Sequence, residues 1–345
     1  MIVKFLRNIR LTWIVVLAMA AVALVAMRPS LVSAADPAPD VSTLILTAQR
    51  QFDSGNYWIA IKTLQSAVAQ NSLSAEVYYW LGRCYYEVRD FDDSIALAER
   101  AVTLDVKNSL YHQWLGRAYG GKADQDRSFF VARKVKKELQ EAVRLNPANI
   151  AARQDLADFC SNAPWIVGGS KDEARAQVDA IAALDPVAGH VARAKFDLDG
   201  LNRPDLAESE LRQVLSSKPK SIEPYFEVIA FFQKQNKSSD MQAAIEDAAQ
   251  ISPNDPRLSY FRGTALVMGG ADLGQAEEYL KSYLATSPDR SDWPPHAAAR
   301  EWLGRIYEAQ GKTAEAAEQY RASLRLQPGR KDAQLRLQKL ENAFQ

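Results

Sequence analysis

The chain has 345 residues with 42 basic and 42 acidic side chains, so its formal net charge at pH 7 is zero. Residues 1–35 carry four basic and no acidic side chains, and the remainder has a formal charge of −4 (38 against 42). Because nucleic-acid binding depends on a basic surface, we expect no nucleic-acid partner. The apolar content of 47% is sufficient for a packed core, in a chain long enough for about two or three ordinary domains.

The first 35 residues have the layout of a secretory signal peptide. Three basic residues precede residues 11–27, a run of 17 residues with no charged side chain. Small residues follow, and we expect cleavage near Ala34 or Ala35, which would deliver the rest of the chain to the periplasm. The alternative is an uncleaved anchor in the inner membrane through residues 11–27, since 17 residues is the lower limit for crossing a bilayer. Residues 36–40 form a short linker, and no other membrane contact is predicted.

The part that follows contains three copies of the hexapeptide W-L-G-R-x-Y, at residues 80–85, 114–119 and 302–307. The first two copies are 34 residues apart, and a fixed period of this size indicates stacked structural repeats. Residues three and four apart share a face of a helix, so Leu81 and Tyr85 form an apolar stripe. Gly82 lies beside that stripe and would allow another helix to approach closely.

The repeating unit resembles the tetratricopeptide repeat, which has the same 34-residue period and a similar Leu-Gly, Tyr, Ala and Pro pattern. Residues 55–67 resemble its turn and second helix in the first repeat, and residues 311–328 do so in the last. One departure is that the tryptophans of the hexapeptides immediately precede the leucine, whereas the family's usual aromatic lies three residues before it.

The resemblance implies an all-α fold, a right-handed superhelical solenoid of about eight helix-turn-helix repeats with a C-terminal capping helix. We expect one continuous domain over residues 41–345, because each repeat of a solenoid contacts only its neighbours. The repeats are predicted at residues 41–74, 75–108, 109–149, 150–186, 187–221, 222–255, 256–290 and 297–330, with the cap at 331–345.

Two insertions interrupt the period, at residues 120–128 and 164–169, and both are expected to lengthen the turn inside a repeat. Insertions in repeat proteins often fall on the binding face, although a tolerated surface loop is an equal alternative. A third irregular stretch, residues 289–296, separates the last two repeats. The basic run at residues 133–137 is interpreted as a solvated helix face, with an acidic-partner site as the alternative.

The sequence predicts no catalytic, metal or cofactor site. The three histidines lack carboxylate or cysteine neighbours at metal-ligand spacing, and no nucleophile or phosphate-binding motif occurs. An enzyme would have to use Asp124, Asp126 and Arg127 of the insertion. We expect no disulfide between Cys84 and Cys160, because a whole repeat separates their helices whereas bridged Cα atoms lie within ~7 Å.

The resemblance further implies that the first helix of each repeat lines a concave groove in which peptides or partner proteins bind. Each hexapeptide tryptophan lies three residues before an arginine and can stack on it, a cation–π contact worth ~0.5–2 kcal/mol. The alternative is that the tryptophans only seal the joints between repeats. The predicted partner-binding residues are Tyr79, Trp80, Arg83, Tyr86, Gln113, Trp114, Arg117, Trp302 and Arg305.

The function that the resemblance implies is a non-catalytic scaffold of a bacterial cell envelope, binding a protein or peptide in its groove. One alternative is a module that binds a small ligand or polymer and accompanies a transporter or an envelope-building pathway. Its apolar pocket would lie near Trp165 or Trp293.

Overall fold

The structure is a computed structural model that describes residues 39–70 and 73–343. The predicted signal peptide, and the predicted cleavage site with it, lie outside the described residues. From Val41 onward the described residues belong to one compact unit. In this part of the chain there are 17 α-helices and no β-strand. No helix among them combines the length and the apolarity needed to cross a bilayer.

Sixteen of these helices form eight consecutive hairpins, and the last helix covers the end of the row. The first four hairpins are α1 (Val41–Asp53) with α2 (Tyr57–Ala69), α3 (Ala75–Glu87) with α4 (Phe91–Leu104), α5 (Ser109–Asp126) with α6 (Phe129–Leu145), and α7 (Ile150–Asn162) with α8 (Lys171–Leu184). The other four are α9 (Pro186–Lys195) with α10 (Pro204–Ser217), α11 (Glu223–Lys234) with α12 (Ser238–Ile251), α13 (Pro256–Met268) with α14 (Leu273–Thr286), and α15 (His296–Ala309) with α16 (Thr313–Leu326). Helix α17 (Lys331–Ala343) packs on α16. The predicted all-α repeat architecture, about eight hairpins with a capping helix, is confirmed.

The starts of many helices are fixed by side-chain caps. A short polar side chain before the first turn accepts a hydrogen bond from a backbone N–H group that the helix itself cannot satisfy. Side chains that do so are Asp90, Asn108, Ser128, Asn149, Ser170, Asp185, Asp255 and Asp272.

The hexapeptide glycines allow the two helices of a hairpin to pack closely. A Cβ atom on Gly304 would lie 2.5 Å from the Tyr320 ring, and one on Gly116 would lie 2.9 Å from Leu139. The first helices of consecutive hairpins also contact one another directly. They are therefore the more closely spaced layer, which makes them the concave side of the curved row.

The expectation that residues 120–128 lengthen a turn is wrong, because α5 continues as a helix to Asp126. Lys122 stabilises this extension by pairing with Asp126, one turn later, at 3.3 Å and with Asp92 at 2.8 Å. Residues 164–169 do form an irregular turn, and it contains the short 3₁₀ helix Trp165–Val167.

Both cysteines are free and buried, in separate parts of the core. Burial raises the pKa of the Cys84 thiol to about 12 and that of the Cys160 thiol to about 11. Both side chains therefore act as small apolar core residues.

The linker between α14 and α15, residues 287–295, contacts the first two hairpins. The Tyr57 hydroxyl donates a hydrogen bond to the carbonyl oxygen of Asp289 at 3.3 Å. The Glu87 carboxylate accepts two hydrogen bonds from Ser291, one from the backbone N–H and one from the hydroxyl, each at 2.9 Å. These partners are 232 and 204 residues apart. The row of hairpins therefore curves so far that the linker between the seventh and eighth hairpins contacts the first two hairpins.

The tightest point of this contact gives a test of the closure. Gly55 has φ +74°, and a Cβ atom there would lie 2.6 Å from Cβ of Pro288, whereas Gly311 has the same φ with no atom within 4 Å of its Cβ position. We expect Gly311→Ala to cost about 1 kcal/mol, for the left-handed backbone alone. Gly55→Ala should cost about 1–3 kcal/mol more, because it also overpacks the contact. Urea or thermal unfolding of the two variants measures the difference, and equal losses would mean that the linker does not hold the first hairpin.

Candidate functional site

Each of the three hexapeptide tryptophans lies against the arginine that follows it by three residues. These pairs project from first helices, namely α3, α5 and α15. The distance from the guanidinium carbon to the ring centroid is 4.4 Å for Arg83 and Trp80, 4.8 Å for Arg117 and Trp114, and 4.2 Å for Arg305 and Trp302.

Arg83 is surrounded by four aromatic rings that belong to three hairpins. Its guanidinium carbon lies 4.4 Å from the centroids of Trp80 and Trp114, 4.5 Å from that of Phe52 and 5.6 Å from that of Tyr79. It also donates a hydrogen bond to the Tyr79 hydroxyl at 3.3 Å. Contacts of this kind hold a cation by the negative faces of the rings. The side chain therefore joins the first three hairpins.

The two neighbouring arginines differ in their charge partners. Arg117 forms a bidentate ion pair with Asp155, at 2.7 and 3.0 Å. Burial lowers the pKa of Arg117, but the Asp155 carboxylate more than offsets this effect, and the pKa rises above its ordinary value. No carboxylate within the described ranges pairs with Arg83, and its buried Nε has no hydrogen-bond partner there. A partly buried cation without an anion carries a desolvation cost, so the missing carboxylate is where the arrangement is incomplete.

Gln113 and Tyr86 contact different members of this group of residues. Gln113 is only 2% exposed, and its amide nitrogen donates to the Asp155 carboxylate at 2.7 Å while its amide oxygen accepts from Asn149 at 3.2 Å. The Tyr86 ring meets Trp114 edge-on, with centroids 5.8 Å apart. Gln113 therefore positions Asp155, while Tyr86 continues the aromatic surface.

Seven of the nine predicted residues lie together on α3 and α5, and the other two lie elsewhere. Trp302 packs against the core of the later hairpins. Arg305 is already paired, with Glu301 at 3.0 Å and with Asp332 at 2.5 Å. The eighth hairpin thus repeats the Trp–Arg pair in a setting where the charge is neutralised.

Sequence reasoning missed the part of the site contributed by the linker. Arg290 lies 5.7 Å from the Phe52 ring and 5.6 Å from the Trp293 ring. Arg257 lies 5.0 Å from Trp293 and 4.0 Å from Phe226, both measured to ring centroids. Cations and rings therefore alternate from the third hairpin, across the linker, to the sixth. We call this the cation–aromatic row, and its members are Arg117, Trp114, Arg83, Phe52, Arg290, Trp293, Arg257 and Phe226.

The other arginines of the row have carboxylate partners. Arg290 pairs with Asp292 at 2.8 Å, and Arg257 pairs with Asp255 at 2.7 Å. Among the described members, Arg83 alone lacks one. The only signal for the linker in the sequence is its irregular Trp-Pro-Pro composition, and Phe52 reads as an ordinary core residue.

Two cavities flank the linker. One of about 230 Å³ lies between it and the second hairpin and is lined by Tyr86, Glu87 and Phe91 among others. The other, of about 310 Å³, is lined by Phe226 and Tyr260 and by prolines of the linker. Residues of the linker therefore line two separate cavities.

The two insertions also meet, at a third and larger cavity of about 440 Å³ that is mostly apolar. Residues 120–129 line one side of it and residues 159–167 the other. Asp124 and Arg127 lie at its rim, and Asp126 is paired with Lys122. Within residues 39–70 and 73–343, no group of three His, Cys, Asp or Glu side chains could hold a metal ion. Neither tryptophan of the small-ligand hypothesis, Trp165 or Trp293, is among the residues that line these cavities.

The family model described as "Tetratricopeptide repeat" matches residues 45–109 and 272–331. Over these two ranges the chain is similar to tetratricopeptide repeats. These matches cover the first two hairpins and most of the last two, and they include the helix that carries Arg83. Proteins with such repeats commonly act as scaffolds for protein interactions. No curated protein sequence matches the chain at a significant level.

One solved structure supports the same fold. A chain of the crystal structure of the APC/C hetero-tetramer Cut9-Hcn1 is similar, with a TM-score of 0.50 and 12% identity over 94% of this chain. The match spans 59% of the length of that chain. A tetratricopeptide repeat protein from Parabacteroides merdae ATCC 43184 matches with a TM-score of 0.45 and 14% identity, over 87% of this chain and 98% of its own.

The different charge partners of Arg117 and Arg83 give a test on stability. Arg117→Met leaves the Asp155 carboxylate without its cation, and we expect a loss of about 1–3 kcal/mol. Arg83→Met keeps the apolar contacts and leaves no carboxylate unpaired, so the loss should be within about 1 kcal/mol. Urea unfolding followed by circular dichroism compares the two. A loss for Arg83→Met as large as that for Arg117→Met would mean that the ring contacts of Arg83 stabilise the fold as strongly as the ion pair of Arg117 does.

Proposed function

We propose that this chain is a non-catalytic scaffold of the bacterial cell envelope that binds an extended segment of a partner protein. The binding surface is the concave side of the second and third hairpins. The observation that carries the proposal is Arg83, a guanidinium held among four rings with no carboxylate of its own.

The chemistry of this position favours an acidic group on the partner. Guanidinium groups bind carboxylates through two parallel hydrogen bonds, and such charge-assisted bonds are about twice as strong as neutral ones. An aspartate, a glutamate or a C-terminal carboxylate would supply the anion that the other arginines of the cation–aromatic row obtain from their own chain. Trp80, Trp114 and Tyr86 would pack against apolar side chains beside that carboxylate. Tryptophan, tyrosine and arginine are the residues that dominate binding energy at interfaces.

The remaining predicted residues have supporting roles in this proposal. Gln113 and Arg117 both hydrogen-bond to the Asp155 carboxylate. Arg117, held in this position, stacks on the ring of Trp114. A partner-binding role for Trp302 and Arg305 stays a prediction, and the paired charges of Arg305 favour a role in packing.

The envelope location rests on the pattern of the first 35 residues. We propose export to the periplasm with cleavage near Ala34 or Ala35, or else retention at the inner membrane through residues 11–27. N-terminal sequencing of the chain recovered from bacterial envelopes distinguishes the two.

Binding is tested by capture from envelope extracts with the wild-type chain and Arg83→Met. We expect the partner to be lost with Arg83→Met, because a charge-assisted hydrogen bond is worth about 1.5–3 kcal/mol, or roughly a 10- to 150-fold change in Kd. Arg100→Met is the matched control, since Arg100 is exposed on the second helix of the same hairpin and faces Tyr78 at 5.8 Å.

The identified segment is then synthesised with its acidic group converted to the amide. Weaker binding to the wild-type chain, together with equal binding of acid and amide to Arg83→Met, would assign the carboxylate to Arg83. Full capture by Arg83→Met would contradict the proposed site.

A further inference from the structure

Large apolar side chains protrude from the start of α6 in the third hairpin and from the turn of the fourth hairpin. Phe130 is 83% exposed and Trp165 is 84% exposed, and Phe129 and Ile166 beside them are also exposed. Single exposed apolar residues are ordinary, but several together mark a surface that is covered by something else. We call these four side chains the apolar edge.

Side chains of α6 hold the backbone of the turn at residues 164–169 against that helix. The Arg133 guanidinium donates a hydrogen bond to the carbonyl oxygen of Ile166 at 3.2 Å. The Lys136 ammonium donates to the carbonyl oxygen of Gly168 at 2.8 Å. Phe129 lines the same 440 Å³ cavity as Pro164. The apolar edge is therefore a ridge built from the start of α6 and the turn that α6 holds in place.

Basic residues flank this ridge. Phe130 shares one face of α6 with Arg133, Lys134 and Lys137, which follow it by three, four and seven residues. All three are exposed, and so is Arg127 in the preceding turn.

Two of the acidic residues nearby are paired with lysines. Asp126 pairs with Lys122 at 3.3 Å and Glu173 pairs with Lys136 at 2.6 Å, while the Glu138 carboxylate lies 2.7 Å from a ring nitrogen of His112. Asp124 and Asp172 remain exposed, against the four exposed basic residues described above. The charge that the ridge presents to a partner is therefore predominantly positive.

We propose that the apolar edge binds an anionic lipid surface. Protruding aromatic side chains enter the boundary between headgroups and acyl chains, where tryptophan is favoured, and the basic residues contact lipid phosphates. Lysine is depleted in protein–protein interfaces, so the lysines beside the ridge favour lipid over a protein partner. This contact is independent of the groove around Arg83.

The test uses the full chain with vesicles whose acyl chains carry bromine, a short-range quencher of tryptophan fluorescence. Vesicles of phosphatidylcholine alone are compared with vesicles that also contain phosphatidylglycerol. The fluorescence of Trp165 is obtained as the difference between the wild-type chain and Trp165→Phe, so any contribution of residues 1–38, including Trp13, cancels. Trp58→Phe is the matched control, because Trp58 is 62% exposed on another hairpin.

We expect bromine to quench Trp165 in the vesicles that contain phosphatidylglycerol and to leave Trp58 unquenched. Lys134→Gln with Lys137→Gln should lower the apparent affinity of this contact by about tenfold or more, since each basic residue near an anionic surface contributes to binding. Lys62→Gln with Lys107→Gln, which removes two exposed lysines elsewhere, should leave it unchanged.

Three results would overturn the proposal. One is the absence of bromine quenching of Trp165 in phosphatidylglycerol vesicles. Another is equal quenching in phosphatidylcholine alone, which would remove the role of the basic residues. The third is a dimer in sedimentation experiments that Trp165→Ser dissociates, without any quenching by lipid, since the ridge would then be a contact between two copies of the chain.

Discussion

Arginine guanidinium groups between aromatic rings connect hairpins that are remote in the sequence. A hairpin in a solenoid buries its apolar face only against its neighbours, and the curvature of the row follows from the small rotation between successive hairpins. Here Arg290 fits between Phe52 of the first hairpin and Trp293 of the linker, and Arg83 joins the first three hairpins. The contacts are individually weak, but their position on the concave side gives them control over the shape of the groove.

The same row makes the proposed binding position unusual. A partly buried cation is normally accompanied by an anion, because desolvation of an isolated charge is expensive. Three arginines of the row follow this rule, and Arg83 does not. Departures of this kind from otherwise consistent packing are expected at functional positions. The aromatic rings keep the guanidinium in a fixed place, so that a carboxylate would meet a donor that is already oriented.

The repeat was readable from the sequence because its signal is periodic. The spacing of Leu81, Gly82 and Tyr85 gives the stripe and the close approach within a hairpin, and the Trp–Arg spacing gives the stacked pairs. Contacts that do not recur at the repeat period have no such signal in the sequence. The partner of Arg117 is Asp155, which lies 38 residues later, and the linker meets the second hairpin 204 residues away. The period shows only that residues 120–128 are an insertion, and the ion pairs of Lys122 that make most of it helical have no signal in the repeat pattern.

The contact between the linker and the first two hairpins also bears on how the chain matures. Tyr57 and Glu87 are made early in synthesis, whereas Asp289 and Ser291, their hydrogen-bond partners, are made more than two hundred residues later. Pairings over so great a separation in the sequence form slowly, because a long segment must first be organised. The concave side of the first two hairpins therefore reaches its final form only after the linker between α14 and α15 has been made. A partner present at that stage would meet the concave side before the linker has packed against the first two hairpins. A partner that arrives later would meet it with the linker in place.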